Sequence, residues 1–206
     1  ITTLGEGGMI AVGDDNIAEI IPMVRHNGHC TFQENRSDYW IPAMGNVDLP
    51  ELEGEIIWPN NFCLGEVECA VGAKLLDRID SLNQRKRRRA LAFIDALADK
   101  SELIFHRVDS ARHNYHLLVA QITGNNRDEF IRRMAYDEGI QCVVQYLPLN
   151  RYPFYRKIGL GDAKCPNADR FFDNMVSFPF HDSLNDDELT AIVTSTRNIL
   201  EQLKFE

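Results

Sequence analysis

Gly5-Glu6-Gly7-Gly8 is the first cluster in this sequence able to take part in chemistry. Glycines reach φ > 0 and let a backbone pass close to a ligand. The spacing is not that of a dinucleotide fingerprint, and no strand precedes it. On local grounds an ordinary hairpin turn is the competing reading. His26, His29 and Cys30 are metal-ligand types. No second cluster at matching spacing completes a site, so they read as loop residues and no metal is expected. Arg85-Lys86-Arg87-Arg88-Arg89 is a candidate anion patch. In an acidic chain such a run reads instead as the solvated face of a helix. The chain has no G-x-S-x-G, H-E-x-x-H or P-loop motif, so no self-contained catalytic motif is present.

The balance of the chain narrows the function classes. It has 206 residues, with 31 acidic against 22 basic side chains and a net charge of −9. A surface of that sign disfavours nucleic acid, whose phosphates attract basic residues. No apolar run approaches the roughly 20 residues of a membrane span. Cys30, Cys63, Cys69, Cys142 and Cys165 are odd in number and follow no disulfide or zinc spacing, which suits a reducing compartment. No signal-peptide pattern is found, and a cytoplasmic location is expected. The chain opens on Ile1-Thr2-Thr3 rather than methionine; either processing or a missing preceding segment is expected.

The elements that would position these groups follow from patterning. Met9–Val12 reads as a strand ended by Gly13-Asp14-Asp15. Asp15 or Asn16 is expected to cap a helix to about Val24, with Ile17, Ile20, Ile21 and Val24 at helical spacing and Pro22 weakening its middle. Residues 26–60 read as one irregular stretch, either a functional or partner-wrapping loop or a plain surface excursion. The spacing predicts a helical region over 64–99. Strands are expected at 103–108, 116–122 and 140–147, with an extended segment at 148–157. Helices are expected at 127–138, ended by Gly139, at 167–175, and at 186–203, capped at Asn185. Such a mixture predicts an α/β or α+β arrangement, a small mixed sheet with helices packed on it.

Three segments carry a resemblance when taken in order: Ile1–Met9, Asn60–Gly72, and Gly139–Leu149 followed by Tyr152-Pro153-Phe154-Tyr155. Asn114–Val119 and Val176-Ser177-Phe178-Pro179-Phe180 support them. Together they resemble the DegT/DnrJ/StrS family of pyridoxal-phosphate-dependent, nucleotide-sugar aminotransferases, across essentially the whole chain. The resemblance implies the C-terminal portion of a fold-type-I, aspartate-aminotransferase-like enzyme of roughly twice this length. Residues 1–60 would be the end of the large cofactor-binding domain plus an irregular loop, and 61–206 the small domain. The family's cofactor lysine, in a pattern like K-N-I-T-T-x-G-E-G-G, would stand two positions before Ile1. None of Lys74, Lys86, Lys100, Lys157, Lys164 and Lys204 matches it. The 206-residue chain alone is therefore expected not to transaminate.

The same resemblance implies the site residues. Gly5, Glu6 and Gly7 would form the turn after the lysine. Asn61 would cross a homodimer interface and donate to the phosphate of pyridoxal 5'-phosphate in a shared active site, a role suited to an amide NH₂. On local grounds Asn61 reads equally as a helix N-cap. Cys63 stands where many relatives have arginine. Gln145, Tyr146 and Asn150 would line the sugar side, with amides in place of two family histidines. His113 and His116 are expected in structural roles. The implied reaction moves an amino group from glutamate to a keto group of a nucleotide-linked sugar. The alternatives are a sugar dehydratase of the same family, with histidine in place of the lysine, and a noncatalytic partner subunit that lacks the cofactor lysine.

Overall fold

Asp14 starts the first helix. Its Oδ1 accepts the N–H groups of Asn16 at 2.9 Å and Ile17 at 3.2 Å. Helix α1 (Asp15–Arg25) is thus capped one residue before the expected position, and it carries Pro22 inside it. A computed structural model describes residues 4–30, 46–51, 53–106, 113–203 and 205. The opening Ile1–Thr3, residues 31–45 of the irregular stretch, and the end of the strand expected at 103–108 lie outside the described residues. The chain forms two compact units, Thr2–Asp77 and Arg78–Glu206.

In the first unit, α1 turns at Gly28 into β1 (His29–Cys30), which pairs antiparallel with β2 (Asn46–Val47). Gly28 has φ +79°, and a Cβ there would lie 3.2 Å from Val47 Cγ1. A side chain there would be strained by the backbone conformation and would have to displace Val47 by a few tenths of an ångström. Residues 60–62 run back past the end of α1: Asn60 N–H donates to the Val24 carbonyl at 3.1 Å and Phe62 N–H to that of Arg25 at 2.8 Å. Helix α2 (Glu66–Leu76) closes the unit. The strand expected over Met9–Val12 does not form. Met9 and Ile10 are 92% and 73% exposed, and no described strand lies alongside to take up their backbone groups.

The second unit holds the described core. Helix α3 (Ile79–Ala96) precedes β3 (Leu103–Phe105), β4 (Leu118–Ile122) and α4 (Arg127–Tyr136). A 3₁₀ turn (Leu149–Arg151), α5 (Pro153–Lys157), α6 (Pro166–Asn174), β5 (Met175–Phe178) and α7 (Asp186–Gln202) follow. The sheet has the order β3-β4-β5 and is antiparallel throughout rather than mixed, with Leu103 opposite Ile122 and Leu118 opposite Phe178. Phe93, Leu118, Ile122, Phe130, Met134, Val176, Ile192 and Ile199 pack together in the core. Helix α7 is held at its start by a capping box between Asn185 and Glu188. Gly139, at φ +68°, follows α4 as expected.

Three expected elements differ from those observed. The helical region at 64–99 is two helices, because the chain breaks at Asp77-Arg78 between the units. Residues 140–147 form no strand; they meet β5 at one pair only, Val143 with Ser177, through reciprocal bonds of 3.0 and 2.8 Å. The segment 148–157 is a 3₁₀ turn and a short helix with Pro153 in its first turn, a position where a missing N–H costs nothing. The basic run also departs from a plain solvated face. Arg85 pairs with Asp182 and Arg89 with Asp186, at the start of α7. Lys86 is buried over the Phe180 ring, and burial lowers its pKa against the opposing pull of Asp182.

Candidate functional site

The singled-out residues fall into two sets, one in each unit. In the first, Gly5 and Gly7 have φ of +88° and +154°, conformations that side chains disfavour. A Cβ on Gly7 would lie 3.5 Å from Leu64 Cδ1, so the front bend abuts the segment that follows Asn61. Gly8 and Met9 line an apolar hollow of about 710 Å³ together with Ile17, Ile20, Val24 and Phe62. Glu6 is exposed.

Asn61 is not a helix cap. Helix α2 begins at Glu66 behind Gly65, with no side-chain cap bond. Instead Asn61 Oδ1 accepts the Cys63 N–H at 3.1 Å, and its own N–H donates to Asn60 Oδ1 at 2.9 Å. Only the oxygen of the amide can accept, so this bond fixes which way the side chain faces. Its two N–H donors are then directed away from the turn on an exposed residue. That is the chemistry a phosphate oxygen needs, and Asn61 fits the phosphate of pyridoxal phosphate as a donor. Cys63 Sγ lies 3.8 Å from the Arg25 carbonyl, a weak contact that brings no positive charge to this place.

In the second unit, Gln145, Tyr146 and Asn150 stand on one irregular segment between α4 and α5. The Gln145–Tyr146 peptide is cis, and Gln145 Nε2 donates to the Tyr146 hydroxyl at 3.2 Å. Tyr146 is 68% exposed. Asn150 Nδ2 donates to the Ala163 carbonyl at 2.9 Å. Its backbone carbonyl accepts from Arg156 Nε at 3.2 Å. Gly161 admits the Arg156 stem, since a Cβ there would lie 2.6 Å from Arg156 Cγ. The segment is anchored upstream by Cys142, whose thiol burial pushes up to about 12. It is therefore a neutral packing group at ordinary pH.

Arg151 escaped the sequence reading. It joins the segment to α6 through Asp169 and Asp173. The signal was present as two carboxylates four residues apart on one helix, a spacing that puts both on one face. Two histidine expectations divide. His113 is structural: its Nδ1 accepts the Tyr115 N–H at 3.1 Å beneath a T-shaped ring contact. His116 is exposed rather than packed in the core, with its pKa lowered chiefly by desolvation. Among the described residues no group of three or more His, Cys, Asp or Glu is placed to hold a metal. Likewise none of the described helices is long and apolar enough to cross a membrane.

Comparison with known proteins bears on these two sets. The pattern of the DegT/DnrJ/EryC1/StrS aminotransferase family matches residues 1–197. Spore coat polysaccharide biosynthesis protein SpsC of Bacillus subtilis is 27% identical over 202 residues, 95% of this chain and 50% of its own length. The UDP-4-amino-4,6-dideoxy-N-acetyl-beta-L-altrosamine transaminase of Campylobacter jejuni (serotype O:2) is 27% identical over 209 residues, 99% of this chain and 50% of its own. Among solved structures, Helicobacter pylori PseC, an aminotransferase involved in the biosynthesis of pseudoaminic acid, superposes with a TM-score of 0.75 at 21% identity. That match covers 92% of this chain and 47% of PseC. The chain spans about half the length of the curated relatives it matches. It belongs to the DegT/DnrJ/EryC1/StrS aminotransferase family, and its fold is that of the C-terminal portion of a fold-type-I enzyme.

Proposed function

We propose that this chain is the C-terminal part of a pyridoxal-phosphate-dependent aminotransferase that moves an amino group from glutamate to a keto group of a nucleotide-linked sugar. Family membership supports sugar amination. The observation that carries the cofactor role is Asn61, whose carbonyl is tied to the Cys63 N–H and whose amide donors are therefore turned outward. Bound, pyridoxal phosphate supplies the aldehyde and electron-withdrawing ring that carry the amino group between donor and acceptor. This chain's residues bind and orient. Asn61 holds the phosphate of the partner protomer's cofactor in a homodimer. Gly5, Glu6 and Gly7, just after this protomer's own lysine, let the backbone bend beside its own cofactor, and Gln145, Tyr146 and Asn150 face the sugar.

In this reading, residues 1–60 end the large domain and 61–206 make the small one. The cofactor lysine comes from chain outside these 206 residues. All five cysteines are free, which suits the cytoplasm as its place of action. The complete protein tests the cofactor role. Asn61→Ala is expected to weaken pyridoxal phosphate binding about tenfold, the loss of one hydrogen bond to a charged oxygen, read by absorbance titration of the apoprotein. Unchanged affinity overturns it. Sustained turnover by the 206-residue chain alone, with pyridoxal phosphate and glutamate, would refute the external lysine.

A further inference from the structure

Asn150 sits in the middle of a three-residue turn, Leu149–Arg151. So short a turn has little stability of its own. Its internal bonds are two: Arg151 N–H to the Pro148 carbonyl at 2.9 Å and Tyr152 N–H to that of Leu149 at 3.2 Å. Besides the bonds of Asn150 to Ala163 and Arg156, it is held from 18 and 22 residues further on. Arg151 Nε donates to Asp169 Oδ1 at 2.6 Å. Its two terminal nitrogens reach both oxygens of Asp173, at 2.8 and 3.3 Å. The guanidinium also lies 5.2 Å from the Phe172 ring centre, between the two aspartates in sequence.

Phe172 is itself fixed to α4. Arg127 stands 5.6 Å from the same ring and donates to the carbonyls of Phe172 at 3.0 Å and Met175 at 3.3 Å. Arg127 also pairs with Asp128. A path of charge-assisted bonds and ring contacts therefore runs from the Asn150 turn through α6 to α4, which packs in the core. The planar guanidinium fork suits bonding two carboxylates, one of them bidentately, while lying against a ring. One N–H of the Asn150 amide goes to Ala163, which sets the side chain's orientation and leaves its Oδ1 to accept from, and its second N–H to donate to, a ligand hydroxyl.

We propose that Arg151, held by Asp169 and Asp173, is the positioning residue that sets where Asn150 meets the acceptor sugar. This role rests on the proposed function, in which Asn150 faces the sugar. Arg151 touches neither cofactor nor the reacting atoms. It acts on the sugar step alone, because no group it holds belongs to the set assigned to the cofactor.

Two measurements test the proposal. In the 206-residue chain, hydrogen exchange of the Arg151 and Tyr152 amides is expected to quicken at least about tenfold in Arg151→Met and to recover partly in Arg151→Lys. The β4 amides should keep their rates. Wild-type exchange at the turn in Arg151→Met overturns the clamp. In the complete enzyme, each amino donor is followed separately by the cofactor's absorbance. The donors are glutamate and the amino sugar named for the Campylobacter relative, with other UDP- and dTDP-linked amino sugars beside it. Arg151→Met should slow the sugar half-reaction roughly 10- to 100-fold, the scale of an ångström-sized misplacement, and leave the glutamate half-reaction within about twofold. An equal loss in both halves would show a merely structural residue and overturn the proposal. A wild-type enzyme that takes amino groups from glutamate but from no sugar overturns the sugar reading, and this role with it. That outcome is separate from failure of the clamp.

Discussion

Helix α7 buries Leu189, Ile192, Ser195, Thr196, Ile199 and Leu200, whereas α1 and α2 bury no residue at all. All three carry apolar residues at helical spacing, though α2 separates them from its polar residues far less sharply than α1 or α7. The difference lies in what stands opposite. In Arg78–Glu206 the apolar faces of α3, α4 and α7 close over a sheet whose central strand alternates buried and half-buried positions. In Thr2–Asp77 the side chains of Met9, Ile10, Trp58, Phe62 and Val67 are all more than half exposed. The α1 face looks onto an open hollow. Amphipathic spacing states which face seeks cover; it does not state that cover is present. Each apolar side chain left in water forgoes roughly 1.5–3 kcal/mol of burial.

The sharpest way to break this contrast is to separate the units. Residues 78–206 alone are expected to unfold cooperatively and keep dispersed amide resonances. Residues 1–77 alone should give neither a cooperative transition nor dispersed resonances. A folded first unit would show that its exposed apolar surface is tolerated in isolation. Next in size is deletion at the core. Phe130 is fully buried, and Phe130→Ala should cost about 3–5 kcal/mol in urea denaturation. Val71→Ala on α2, at an exposed position, should stay within about 0.5 kcal/mol. Similar costs at the two sites would erase the distinction. Smallest is the cap of α7. Asn185→Ala removes the side-chain acceptor of the Glu188 N–H and should lower stability by about 1 kcal/mol. No change would mean that the packing of α7, not its cap, sets its start.

Legibility followed the range of the interactions. The capping box at Asn185 and Glu188, the glycine after α4 and the amphipathic period of α7 were readable, because each is settled by residues a few positions apart. Met9–Val12 and Ile140–Leu147 have strand-like composition yet make no strand. A strand needs a partner edge, and composition does not supply one. The single Val143–Ser177 bridge shows how little of that edge was available. The proposed phosphate role of Asn61 came from the family resemblance, not from its local sequence. Its competing N-cap reading fell once the helix was seen to start at Glu66. Lys86 looked like one more residue of a solvated run and is buried over the Phe180 ring instead, a contact with a residue far away in sequence.

By itself, the sequence determined that this chain belongs to the DegT/DnrJ/EryC1/StrS aminotransferase family and where most of its helices begin and end. Family motifs and caps are local strings, read from neighbours within a turn or two. Tertiary structure alone decided that α1 and α2 lie open while α7 is closed. It alone joined Arg151 to two aspartates across 18 and 22 residues. Burial and ion pairing depend on distance in space, and a chain that folds back brings together groups whose separation in sequence carries no trace of their contact.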